Sequence, residues 1–75
     1  MLAIEIQSPS QSLDEMIDKA IQFFDFGVKS CWVVVPAMQG IAVYRDVEHY
    51  QFFHHDDILK DNTLNIEIEL SKVFV

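Results

Sequence analysis

Several features that define common protein classes are absent from this 75-residue sequence. Cys31 is its single cysteine, so an internal disulfide is excluded. No apolar run approaches the ~20 residues needed to cross a bilayer, and the N-terminus lacks the basic region of a signal peptide. We therefore expect a cytoplasmic protein that does not enter a membrane.

The motifs of several enzyme classes are also missing. Without a glycine-rich phosphate loop, a Cys-x-x-Cys pair or a serine nucleophile elbow, we set aside a Rossmann cofactor, a zinc ribbon and serine hydrolase chemistry. Cys31 lies in an apolar run, residues 31–35, and is interpreted as a small buried hydrophobe.

Positive charge is scarce, with five Lys and Arg against twelve Asp and Glu, for a formal charge of -7. Because Lys and Arg carry most nucleic-acid affinity, the chain is not expected to hold DNA without help. Hydrophobic residues make up 51% of the chain, yet a domain of this size buries only about 60% of its unfolded surface. The length predicts one domain, residues 1–75, and the remaining apolar surface predicts that this domain forms a homo-oligomer of two or more chains.

Hydrophobic periodicity predicts an α/β (α+β) fold, with one main helix at about 12–26 packed on a mixed sheet of four to five strands. Ser12 and Glu15 have capping-box spacing at the start of this helix, and Gly27 follows its end. Strands are predicted at 2–7, where Ser8-Pro9-Ser10 ends the pairing, and at 30–35, 41–45 and 49–54. After a polar loop at 60–63, residues 66–70 are predicted as a short edge strand or an extended arm, and 71–74 as a closing helical turn.

Glu5, Gln7 and Lys19 form the sharpest candidate site. A strand carboxylate can bind a hard cation such as Mg²⁺, and a nearby amine can stabilise the charge that develops in phosphodiester cleavage. Lys19 falls on the flank of the helix's apolar stripe, from where it can extend towards the strand. The alternative is structural: a solvated Glu on an edge strand and a surface Lys on a helix.

His54, His55 and the two aspartates that follow them suggest a second metal site. Adjacent side chains of a strand point apart, so His54 and His55 are not expected to share an ion, and a solvated strand end is the preferred interpretation. Trp32 is either a recognition aromatic or a core residue, and its place within an apolar strand favours the core.

The order of these residues resembles the C-terminal half of the Uma-type restriction endonucleases, a branch of the PD-(D/E)XK nuclease superfamily. The shared positions run along nearly the whole chain, and they are Glu5, Ser8-Pro9-Ser10, Glu15, Lys19, Phe23, Gly27-Val28, Trp32, Pro36, Val43-Tyr44, Asp57, Leu59 and Val73-Phe74. The resemblance implies a restriction-endonuclease-like core in which Glu5 is the acidic metal ligand, with Mg²⁺ as the cofactor of an active site. Gln7 would occupy the position of the motif lysine, and Lys19 would replace that lysine from the helix.

The chain also departs from the pattern of these relatives. They have an N-terminal region that supplies an upstream catalytic Asp, and a Pro-Asp just before the active-site strand, where this chain has Met1. They carry an acidic residue before the proline of the central strand, where this chain has Val35. We therefore expect a truncated nuclease domain in which one carboxylate would hold a divalent ion weakly.

Three functions follow from this reading. The first is a degenerate nuclease-fold module that is inactive alone and acts as an oligomeric or interaction domain. The second is a DNA endonuclease half-domain whose site is completed by a separately encoded N-terminal fragment or by a second copy. The third, favoured only by charge and size, is an acidic regulatory or antitoxin-like binding module.

Overall fold

The computed structural model describes residues 2–7 and 12–74, which form one helix, a four-stranded sheet and a two-stranded sheet. The elements in chain order are β1 (Leu2–Ile6), α1 (Leu13–Asp25), β2 (Ser30–Val35), β3 (Gly40–Asp46), β4 (His49–His54), β5 (Ile58–Asp61) and β6 (Ile66–Glu69), with short 3-10 helices at Pro36–Met38 and Leu70–Lys72. The larger sheet has the order β1-β2-β3-β4 and is mixed, because β1 runs parallel to β2 while the other pairs are antiparallel. The predicted α+β class with one main helix is confirmed.

The helix begins and ends as its sequence predicts. Ser12 is the N-cap, and its hydroxyl accepts a hydrogen bond from the backbone N–H of Glu15 at 3.2 Å. Gly27 follows the C-terminal end with φ of +91°, a conformation that few other residues adopt without strain. Met16 and Ala20 of α1 are buried, and they pack against one face of the sheet.

The four-stranded sheet separates two hydrophobic clusters, because successive strand residues point to opposite faces. On one face α1 packs over Cys31, Val33 and Ala42. The other face carries Trp32, Ile41, Val43 and Phe53, which pack against Leu59 and Leu70 from the C-terminal segment. Phe52 joins the α1 side, whereas its neighbour Phe53 packs on the opposite face, as the alternation of a strand requires.

The predicted polar loop at 60–63 is wrong in its first half. Lys60 and Asp61 belong to β5, and Asp61 pairs with Ile66 of β6. Along β5 the burial alternates, so that Leu59 and Asp61 are buried while Ile58 and Lys60 are exposed. Residues 66–69 form the predicted short strand, and the closing turn is a 3-10 helix that starts at Leu70. The expected strand end at Ser8-Pro9-Ser10 lies outside the described residues.

Candidate functional site

Strand β1 lies at the edge of the sheet and presents Glu5 to the face that α1 covers. Glu5 is the register partner of Val33 in β2. Ala3, two residues earlier on the same face, packs with the cluster of Met16 and Cys31. The alternation of β1 therefore places Glu5, its only carboxylate, on the face that α1 covers.

Lys19 reaches Glu5 from the helix. Its Nζ lies 2.7 Å from Oε1 of Glu5, and the two side chains are 42% and 22% exposed. The partly buried ion pair joins the strand and the helix at the position where the sequence predicts a site. The structure thus brings these two residues together, while their chemical roles remain a prediction.

Gln7 extends the pairing of β1 and lines a groove. Its backbone N–H donates to the carbonyl of Val34 at 2.9 Å. Its side chain borders an open groove of about 480 Å³ between α1 and the β3–β4 hairpin. The lining is mainly apolar and aromatic, and it includes Met16, Ala20, Val33, Ala42, Tyr50 and Phe52. The residue that would occupy the motif lysine's position therefore belongs to the lining of an apolar groove.

Two further ionisable groups lie beneath the same face. Burial, and next the negative charge of Glu5, raise the pKa of the Cys31 thiol. Burial, followed by Tyr50 and Cys31, also raises the pKa of the Tyr44 phenol. Both groups are therefore neutral near pH 7, and Cys31 is not a nucleophile.

The ligands that a single chain supplies at this site do not suit a resident Mg²⁺ ion. Mg²⁺ requires near-octahedral oxygen coordination, usually with one or two carboxylates and several waters. Glu5 supplies one carboxylate, and its Oε1 already accepts a hydrogen bond from Lys19. Within residues 2–7 and 12–74, no group of three or more His, Cys, Asp or Glu side chains is placed to hold a metal ion. We therefore derive no metal-dependent step from a single chain.

The expectation that His54 and His55 point apart is wrong. Their Nδ1 atoms lie 2.7 Å apart, so one ring donates a hydrogen bond to the other. The strand ends at His54, and His55 has a left-handed backbone with φ of +53°, which turns its side chain back to its neighbour. Asp57 accepts a hydrogen bond from the backbone N–H of His54 at 2.9 Å. The rings are exposed, as expected for a solvated strand end.

Asp61 is a buried ionisable residue that the sequence does not reveal. Trp32 Nε1 donates to its Oδ2 at 2.8 Å, and the backbone N–H of Leu64 donates to Oδ1 at 3.1 Å. Burial acts to raise the pKa of Asp61, but the nearby Ser30 hydroxyl, the Trp32 side chain and backbone N–H groups together outweigh it, so the pKa is lowered. The buried Ser30 hydroxyl lies near this carboxylate without a hydrogen bond of regular geometry. An aspartate before Asn62-Thr63 is typical of a turn, and only the tertiary contact with Trp32 explains its burial.

In the described residues, one α-helix packed on a mixed four-stranded sheet, with a separate two-stranded sheet, defines the class as an α+β domain. The family model described as "Uma2: Putative restriction endonuclease" matches residues 1–72, so the chain belongs to the Uma2 family. The family resemblance that the sequence motifs indicate is therefore confirmed.

A crystal structure of a protein described as a putative nuclease of DUF820, from Anabaena variabilis ATCC 29413, has the same fold, with a TM-score of 0.79 and 22% sequence identity. The match covers 97% of this chain and 42% of the Anabaena chain. This chain thus spans less than half the length of that solved relative. Comparison with curated proteins gave no match. Among the described residues, no helix has the length and apolar content to cross a membrane.

Proposed function

We propose that this chain is a nuclease-fold module that has no catalytic activity as a single chain and acts through association with another chain. The observation that carries the proposal is the composition of the candidate site. Glu5 is the only carboxylate that the described part of β1 brings to this face, and it is already paired with Lys19. One such ligand holds a divalent ion weakly, so a single chain lacks the means to activate water for phosphodiester cleavage.

The surface beside the site supports association. The groove next to Gln7 is mainly apolar and open, and exposed large hydrophobic residues surround it, including Met38 and Tyr50. Apolar surface of this kind on a small domain marks an interaction site. A segment that filled the groove would lie beside Gln7 and could bring further ligands towards Glu5.

Plasmid incubation with Mg²⁺ or Mn²⁺ tests the catalytic half of the proposal. We expect no cleavage by the wild type beyond that of the Glu5→Ala variant. The matched control is Glu67→Ala, which removes an exposed carboxylate from β6, away from the site. Cleavage that depends on Glu5 and rises in proportion to protein concentration would overturn the proposal.

A second candidate function is an endonuclease half-domain that a second chain completes. It is favoured by the position of Gln7, because that residue follows Glu5 by two positions along the extended chain and also lines the groove. The completing chain would be a separately encoded fragment or a second copy, with DNA as the substrate and Mg²⁺ as the cofactor. If a second copy completes the site, Glu5-dependent cleavage should rise with the square of protein concentration. If a separate fragment completes it, cleavage should appear when the unmatched part of a longer relative is added. Absence of cleavage in both experiments would exclude it.

A further inference from the structure

The end of strand β4 brings two imidazole rings into direct contact. The Nδ1 atoms of His54 and His55 lie 2.7 Å apart, and the ring planes meet at 83° with their centroids 4.9 Å apart. Neighbouring side chains of a regular strand point to opposite faces, so this contact requires a break in the strand. The left-handed backbone of His55 supplies that break. The expectation that these rings cannot share an ion rests on an extended backbone, which His55 does not have.

Hydrogen bonds of the backbone hold this turn on both sides. The N–H of His55 donates to the carbonyl of Gln39 at 3.2 Å. A carboxylate oxygen of Asp57 accepts from the N–H of His54 at 2.9 Å, and the N–H of Asp57 donates to the carbonyl of His54 at 3.0 Å. The ring of His54 also stacks on Phe52, with the centroids 5.7 Å apart. The turn is therefore fixed by contacts that do not involve the two Nδ1 atoms.

The separation of the two Nδ1 atoms indicates which ligand fits between them. In the free protein one hydrogen-bonding proton lies there, because a neutral imidazole donates with one ring nitrogen and accepts with the other. Histidine nitrogens bind transition-metal ions at about 2.0–2.1 Å. Two such bonds at a right angle place the nitrogens about 2.8–3.0 Å apart, whereas a tetrahedral angle places them about 3.3–3.4 Å apart. The observed 2.7 Å is closer to the right-angle value.

We infer that His54 and His55 form a Cu²⁺ site, in which the two Nδ1 atoms occupy adjacent corners of a square plane. Square-planar or tetragonal coordination by nitrogen and oxygen is typical of Cu²⁺ and Ni²⁺, and Cu²⁺ binds most tightly of the first-row divalent ions. Both rings are exposed, so water or a donor from another molecule completes the plane. This site lies outside the Glu5–Lys19 pair, and it goes beyond the proposed function without depending on it.

The carboxylate of Asp57 assists the site by its charge and not as a ligand in the plane. Its Oδ2 lies 3.9 Å from Nε2 of His54, the ring nitrogen that does not face His55. Together with the formal charge of -7 on the chain, this carboxylate attracts a cation to the turn. Two nitrogen ligands are fewer than the four of a closed structural zinc site, so the bound ion should exchange with solvent.

Copper titration of the full chain, purified without a histidine tag, tests the site. We expect one Cu²⁺ per chain, an axial electron paramagnetic resonance spectrum and hyperfine coupling from two imidazole nitrogens. Coupling from a single nitrogen, or continued uptake without saturation at one equivalent, would show an adventitious ion only and would overturn the inference.

Three single substitutions give a matched comparison. His54→Gln and His55→Asn each remove one nitrogen ligand, and asparagine suits position 55 because it adopts a left-handed backbone readily. Both leave the backbone hydrogen bonds of the turn in place, and we expect the Kd for Cu²⁺ to rise at least about tenfold, equivalent to about 1.4 kcal/mol. His49→Gln is the control, because His49 is also exposed but its Nδ1 contacts Asp46 at 2.8 Å. An equal rise in all three variants would overturn the site.

Nitrogen NMR of the imidazole rings tests the contact without a metal ion. When both rings are neutral, a hydrogen bond between the two Nδ1 atoms requires the proton of one ring on Nδ1 and that of the other on Nε2. We therefore expect different tautomers for His54 and His55. The same Nε2–H tautomer in both rings would show that they do not meet, and it would overturn the geometry on which the copper site rests.

Discussion

The two faces of the four-stranded sheet differ in how completely they are covered. On one face, the C-terminal hairpin of β5 and β6 packs against Trp32, and Leu59 and Leu70 are fully buried. On the other, α1 buries Cys31 and Val33 but leaves the groove beside β3 and β4 open. The candidate site lies on the open face, while Leu59 and Leu70, which have no exposed surface, lie on the closed one. The closed face is therefore covered by its own chain, and the open face retains apolar surface that is available to a partner.

The polar contacts follow the same division. On the closed face, Trp32 and Asp61 form a hydrogen bond that is out of contact with water. On the open face, the Glu5–Lys19 pair is partly solvated. Because a buried unpaired polar group is costly and an exposed ion pair contributes little, the two pairs should respond very differently to mutation.

The largest expected effect is that of Leu59→Ala on the closed face. Leu59 has no exposed surface, and the truncation would leave a cavity under the hairpin. We expect the free energy of unfolding to fall by about 2–5 kcal/mol, which is enough to unfold much of a small domain. Urea denaturation measures the loss. Ile58→Ala, at the exposed neighbouring position, is the control, and a similar cost for both would contradict the division between the faces.

The next largest loss of stability is expected for Asp61→Asn. This substitution removes the negative charge of the carboxylate that accepts hydrogen bonds from Trp32 and from the backbone N–H of Leu64. We expect a loss of about 1–3 kcal/mol at pH 7, measured by urea denaturation. Asp56→Asn, in the exposed turn between β4 and β5, is the control.

The pH dependence of the wild type checks the same contact. Because folding lowers the pKa of Asp61 from its ordinary value of 3.8, its carboxylate stabilises the fold fully above that value. This stabilisation is lost as the pH falls through the lower pKa of the folded state. The Asp61→Asn variant should lose less stability than the wild type across this acid range, and parallel stability curves would exclude a role for the carboxylate.

These contacts also show which parts of the structure can be read from the sequence. The alternation of β1 and the helical phase of Lys19 are local properties, and they predict that Lys19 can extend towards the strand, while the contact with Glu5 depends on which face of the sheet α1 covers. The burial of Asp61 is not local, because it depends on a hairpin folding back over Trp32, 29 positions away. The left-handed backbone of His55 likewise escapes a prediction based on extended strands.

A smaller effect is expected where β3 begins on the open face. The ring of Phe52 lies directly over Gly40, so a Cβ at this position would collide with it. We expect Gly40→Ala to cost about 1–2 kcal/mol, towards the lower part of the range for overpacking, because the ring can move into the open groove. Urea denaturation of this variant and of Gly40→Ala with Phe52→Leu gives the measurement. If the collision is the cause, Gly40→Ala should lower the free energy of unfolding less in the Phe52→Leu background than in the wild type. An equal loss in both backgrounds would show that the collision is not the cause.

The smallest effect is expected from the ion pair at the candidate site itself. Lys19→Met keeps most of the side-chain stem and removes the charge, and we expect it to change the free energy of unfolding by less than about 1 kcal/mol. The control is Lys72→Met, which removes a more exposed pair with Glu69 at 3.2 Å. If Lys19→Met alone lowers the free energy of unfolding by several kcal/mol, the pair is a structural contact of the core. Glu5 would then not be free to bind a ligand. A small loss leaves the carboxylate available to a partner without cost to the fold, as the open face requires.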